Sequence, residues 1–142
     1  VYNMERLRRK FETAKTMVPA PILHPAAEPA RHGVIYYGST GPAMAEAMEL
    51  MADAGLRLDA LRVRGFPFAA EIDDFIESHD TVFVVEQNES GQLRTLLINE
   101  GEHNPRKLVK VLHYDGAPIT ARFIASAIES AFADALSPSL HG

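Results

Sequence analysis

The sequence has no cysteine, no tryptophan, no surplus of basic residues and no long apolar run. Without cysteine the chain cannot form disulfides, offer a thiolate nucleophile, or ligate zinc or an iron–sulfur cluster through sulfur. That usage fits a reducing cytoplasm. A formal net charge of -5 argues against a nucleic-acid partner, which requires a basic face. Arg6, Arg8, Arg9 and Lys10 form the one dense basic cluster, and it reads as the solvated face of a short helix. No stretch approaches the ~20 apolar residues of a membrane-spanning helix. The early basic residues lack the apolar segment of a secretory signal behind them, and Glu5 and Glu12 speak against a transit peptide. The expectation is a cytoplasmic chain with neither a membrane nor a nucleic-acid partner. Val1 in place of Met adds the expectation of a fragment or a processed chain.

What is present is enough to fold. The 142 residues are 46% hydrophobic and 23% charged, values of one ordinary domain with a buried core. Leu7, Phe11, Ala14 and Val18 recur at helical spacing and predict a helix over 4–17 that needs a surface to pack on. Pro19, Pro21, Pro25 and Pro29 make 18–32 an extended connector, in which Pro21–Leu23 suits an edge strand. From Gly33 a regular alternation begins. Strands are predicted at Val34–Tyr37, Leu58–Val63, Thr81–Val85 and Leu108–Leu112. Helices follow each, starting near Pro42, after Pro67, near Gly91 and after Thr120. Met44, Met48 and Met51, widened by Ala43, Ala47, Leu50 and Ala54, form the inner face of the first of these. Leu93, Leu96 and Leu97 are read as the inner face of the third. Strands with nearly continuous apolar runs are buried on both faces, as in a parallel sheet covered by helices. The organisation expected is therefore 1–32 as helix and connector, 33–136 as an α/β domain, and 137–142 as a frayed tail.

In open α/β sheets ligands bind beyond the carboxyl ends of the strands. Four loops fall there: Gly38–Gly41, Arg64–Pro67, Glu86–Gln92 and His113–Gly116. Ser39 and Thr40 open a helix and suit an anion or a plain hydroxyl cap. They lack the lysine of a phosphate loop and the spacing of a dinucleotide fingerprint. Glu86 follows an apolar strand directly, so its carboxylate needs hydrogen-bond partners or a raised pKa. It suits a general base or the capping of a neighbouring loop, and no second carboxylate or histidine stands beside it in sequence. The six histidines show no metal-ligand spacing, and His113 reads as structural. Residue by residue, this is an α/β domain with one polar rim and no evident catalytic set.

Four segments, in order, resemble the last domain of 2-oxoacid:ferredoxin oxidoreductase α subunits and the connector before it. They are Glu12–Pro21, Val34–Thr40, Val84–Leu93 with its V-E-Q-N-x-x-G-Q-L pattern, and Tyr114–Thr120 with its Y-D-G-x-P-[IF]-T turn. The resemblance spans roughly residues 5–130. It implies a transketolase C-terminal-like fold: a three-layer α/β/α sandwich with a mostly parallel, five-stranded mixed sheet, the connector supplying the fifth strand. Relatives usually carry a bulkier sequence where this chain has Arg64–Phe68.

The family decarboxylates a 2-oxoacid such as 2-oxoglutarate or pyruvate oxidatively on thiamine diphosphate. It forms an acyl-CoA and passes electrons through an iron–sulfur cluster to ferredoxin. Its diphosphate and Mg²⁺ are held by a G-D-G motif on another chain, and this sequence has no G-D-G. The resemblance therefore implies no cofactor and no catalytic residue in this chain. It implies a structural role beside a β subunit and an N-terminal part of the α subunit. Ser39, Thr40, Glu86, Gln87, Asn88, Gly91, Gln92, Tyr114, Asp115 and Gly116 become the interface candidates. Two other readings compete: a flavodoxin-like module binding FMN or phosphate through Tyr37–Gly41, and a scaffolding domain with no ligand.

Overall fold

Each predicted strand forms, and so does the strand in the proline-rich connector. The computed structural model describes residues 2–135, apart from the side chains of residues 2, 11, 15, 39 and 135. The tail expected at 137–142, and the side chains of Phe11 and Ser39, lie outside the described residues. Helix α1 runs Tyr2–Met17. Strand β1 is Ile22–His24 and β2 is His32–Tyr37. A 3₁₀ turn at Gly38–Thr40 opens α2, Gly41–Asp53. Then come β3 (Leu58–Val63), α3 (Ala70–Glu77), β4 (Thr81–Glu86) and α4 (Gln92–Gly101). A second 3₁₀ turn, Pro105–Lys107, precedes β5 (Leu108–Leu112) and α5 (Ala121–Ala135).

The sheet order is β1-β3-β2-β4-β5. β1 pairs antiparallel to β3, and the other three pairings are parallel. Alternation along each strand divides two cores. Val34, Tyr36, Phe83 and Val85 face α2 and α5, while Ile35, Val82 and Val84 face α3 and α4. This is the five-stranded, three-layer arrangement expected of a transketolase C-terminal-like domain. Full burial of one such aliphatic or aromatic side chain contributes about 1.5–3 kcal/mol, so the two cores together outweigh any single polar contact.

Several local signals act as read. Pro42 sits in the first turn of α2, and Gly55 follows its end at φ +86°. Thr120 Oγ1 accepts from Phe123 N at 3.1 Å and caps α5. Two helix-face assignments need correction. Leu96 is 40% exposed, because α4 meets the sheet through Leu93 and Leu97, with Ile98 packed beside them. Leu50 and Ala54 are exposed on α2, whose buried stripe is Met44, Ala47 and Met51. Helix α1 leaves Met4, Leu7 and Met17 exposed. It is tethered at its end, where Val18 lies against the backbone of Gly65.

Candidate functional site

Because β2 leads to β3 on one side and β4 lies on its other side, the strand order reverses between β2 and β4. A ligand crevice is expected at such a point. Here side chains span it. Gln87 Nε2 donates to Thr40 Oγ1 at 2.9 Å, and Asn88 Nδ2 donates to Tyr37 Oη at 3.3 Å. Thr40 is buried. Thr40 Oγ1 accepts there and keeps its own O–H to donate.

Glu86 is completely buried at the end of β4. Its Oε1 accepts from Leu93 N at 2.6 Å and from Asn88 Nδ2 at 3.1 Å, and its Oε2 accepts from Arg94 N at 3.1 Å. The Leu93 and Arg94 amides belong to the first turn of α4, which has no intrahelical acceptors for them. The positive end of the helix also favours the carboxylate. Asn88 Oδ1 accepts from Ser90 N at 3.1 Å and Gly91 N at 2.8 Å, closing the loop that leads into α4. Gly91 stands at φ +64°, a backbone conformation that favours glycine, and an added Cβ would fall 3.3 Å from Lys110 Cδ. The V-E-Q-N-x-x-G-Q-L segment is therefore a helix-capping device, with Glu86 accepting from the first turn of α4.

The last rim loop sits beside it. His113 N donates to Glu86 O at 2.9 Å, joining β5's end to β4's. Asp115 Oδ1 accepts from Ala117 N at 2.9 Å and lies 3.3 Å from His113 Nε2. His113 packs edge-on against Phe123, the structural role read for it. Gly116 turns at φ +84°, and Tyr114 projects into solvent. Thr40, Glu86, Gln87, Asn88 and Gly91 are thus brought together, whereas Tyr114–Gly116 form a separate knuckle one strand away.

Sequence reasoning did not find a wide opening on this rim. A groove of about 720 Å³ lies between the ends of β2 and β3 and the start of α4, lined by Tyr37, Arg64, Phe66, Phe68, Gln92 and Leu96 among others. Phe66 is 51% exposed and packs edge-on against Phe68, with a cis peptide leading to Pro67. Phe66 stands in a loop with no periodicity to betray it. The usable signal was an aromatic residue in one of the four strand-end loops.

Histidines away from the rim are engaged in holding elements together. His79 bridges Asp59 Oδ2 at 2.7 Å and Phe75 O at 2.6 Å, and Asp59 also accepts from Ala26 N at 2.8 Å. His103 lies between Asp73 Oδ1 at 2.7 Å and Glu77 Oε1 at 3.0 Å. No cluster able to hold a metal ion occurs among the described residues. His32 differs, for its Nδ1 is buried with no hydrogen-bond partner among the described residues, and its ring meets Phe132 edge-on. Burial lowers its pKa from 6.5; Asp80 opposes that, and Arg31 and His79 add to it. The unfolded chain then takes up this proton before the folded one does. Stability is expected to fall as pH drops below 6.5 and through the lower folded value. Thermal melts from pH 7.5 to 5 should show a shallower decline for His32→Phe than for the parent.

The fold and the capped rim define an α/β domain of the transketolase C-terminal type. No family model matches the chain. It is 30% identical over 132 residues to the α subunit of 2-oxoacid:ferredoxin oxidoreductase 2 from Aeropyrum pernix, an alignment covering 89% of this chain and 20% of that protein. The chain is thus a relative of a part of 2-oxoacid:ferredoxin oxidoreductase α subunits, and it spans about a fifth of the length of that curated relative. Among solved structures, a 2-oxoglutarate:ferredoxin oxidoreductase from Magnetococcus marinus, with 2-oxoglutarate, coenzyme A and succinyl-CoA bound, superposes at TM-score 0.75 with 24% identity over 91% of this chain and 23% of that one. A split-gene transketolase, an inactive β4 tetramer, superposes at 0.60 with 19% identity, covering 72% and 38% of the two chains. The α chain of a probable 2-oxoacid ferredoxin oxidoreductase from Thermoplasma acidophilum gives 0.51 with 20% identity, covering 78% and 95%. No helix among the described residues is long and apolar enough to cross a membrane.

Proposed function

We propose that the chain is a noncatalytic assembly domain of a thiamine diphosphate-dependent 2-oxoacid:ferredoxin oxidoreductase, with residues 33–136 as its body. The whole complex would convert a 2-oxoacid such as 2-oxoglutarate or pyruvate to an acyl-CoA and pass electrons to ferredoxin. Thiamine diphosphate, Mg²⁺, the iron–sulfur cluster and coenzyme A would be held by other parts of the complex. The observation supporting this reading is the division of labour on the strand-end rim. Glu86 and Asn88 are turned inward as caps, while Tyr37, Phe66, Leu96 and Tyr114 present the apolar surface. Apolar area of this kind suits burial against another polypeptide.

The partners are then a β subunit and the N-terminal part of the α subunit, with the Gly38–Thr40, Glu86–Gln92 and Tyr114–Gly116 loops as contact positions. Coexpression with the cognate β subunit tests this. Exchanging both Phe66→Asp and Leu96→Asp should weaken copurification at least about 30-fold, as loss of a central apolar contact does, while the chain keeps its circular dichroism. The isolated chain should not turn over 2-oxoacids. Undiminished copurification of the double variant, or turnover by the chain alone, would overturn the assignment.

A further inference from the structure

A second cavity, of about 600 Å³, lies between α2 and the outer strands and is walled by Pro25, Met44, Ala45, Met48, Leu56 and Ala60 among others. Two of its polar groups meet at one end. Tyr36 and Arg62 are cross-strand partners on β2 and β3, and both line the cavity with Gly41 and Pro42, where α2 begins. Tyr36 is only 4% exposed, yet its hydroxyl has no hydrogen-bond partner among the described residues. The hydroxyl is not sealed from solvent, so a ligand entering the cavity can reach it. Burial raises the Tyr36 pKa against the opposing influence of Arg62, so the phenol remains a donor at neutral pH.

Arg62 donates from Nη2 to Gly38 O at 3.1 Å, and no carboxylate pairs with it among the described residues. The missing side chain of Gly41 gives the guanidinium its room, since a Cβ there would sit 3.4 Å from Nη1. The other arginine of the cavity, Arg57, is occupied by Glu28. Glu49 is the acidic lining residue, about two turns along α2 from Gly41. One end of an apolar cavity thus offers an uncompensated cation, an idle phenol and the positive end of a 13-residue helix.

We propose that this cavity binds an amphipathic monocarboxylate, its carboxylate held by Arg62 and the Tyr36 hydroxyl and its hydrocarbon or aryl body laid along Met44, Met48 and Leu56. The proposal does not depend on the assembly reading. Calorimetric titration of the chain with octanoate tests it, with 1-octanol as the uncharged control. Saturable one-to-one binding of octanoate is expected, with octanol at least about tenfold weaker for want of a charge-assisted hydrogen bond. Arg62→Gln should weaken octanoate by about tenfold or more, and Tyr36→Phe by about three- to tenfold. Arg106→Gln, in the 3₁₀ turn before β5 and outside the cavity, should leave it unchanged.

Ala52 is an exposed lining residue on α2. Ala52→Trp should therefore fill the cleft and remove binding without touching the core, which keeps the test decisive if Arg62→Gln unfolds. Absence of saturable octanoate binding, equal binding of octanol, or full affinity in both Arg62→Gln and Ala52→Trp would overturn the proposal. So would a parent dimer, seen by sedimentation, that Ala52→Trp abolishes, for the cleft would then be a protein contact.

Discussion

Glu86→Ala is expected to destabilise the chain by about 4 kcal/mol, summing three charge-assisted hydrogen bonds and the donors left unpaired. Two of those donors are first-turn amides of α4 that water cannot reach once the carboxylate is gone, because Glu86 is completely buried. The truncation also leaves a void beside Leu93, itself part of the core under α4. Glu86→Gln discriminates capping from mere volume. The amide keeps the shape and one acceptor but turns an NH₂ towards a backbone N–H, so about half the loss should remain. Denaturant unfolding of the three chains checks the order parent, Gln, Ala. If Glu86→Gln were as stable as the parent, the carboxylate would not be the capping group.

Gly101→Ala is expected to cost about 2–3 kcal/mol, the sign opposite to that of a glycine-to-alanine change in an ordinary helix, which gains about 1 kcal/mol. Gly101 ends α4 where the chain folds back over α3. An added Cβ would strike the His103 ring and come within 2.8 Å of Asp73 Oδ1. His103 would then leave the two carboxylates, Asp73 and Glu77, that it joins. A double-mutant cycle isolates the clash: in a His103→Ala background the Gly101→Ala penalty should largely vanish. A penalty that persists undiminished would place the strain in the helix backbone instead.

The strands were legible because each is a short apolar run bounded by turn residues. Leu58–Val63 and Leu108–Leu112 begin and end where their β-branched and leucine content does. Even β1 was foreseen, since proline beside a short apolar triplet suits only a sheet margin. Helix faces were harder to read. Leu96 sits at helical spacing from Leu93 but turns to the groove. Of the rim, the loops and the capping role of Glu86 followed from position at strand ends. The partners of Glu86 did not, because the amides of Leu93 and Arg94 reach it only once α4 is seated. The pairing of Tyr36 with Arg62 is a matter of strand register, which no local pattern encodes.

The three-residue β1, with Pro21 before it and Pro25 after it, also governs how the molecule behaves in a crowded solution. A stray extended peptide meeting that flank finds only a stub of free amides and carbonyls, bracketed by residues that cannot donate. The opposite flank, β5, offers five residues with a lysine, Lys110, at their centre, whose charge repels a second copy laid alongside. Both margins are thereby blunted against fibril seeding, and nucleated aggregation should have to await unfolding of the sheet itself.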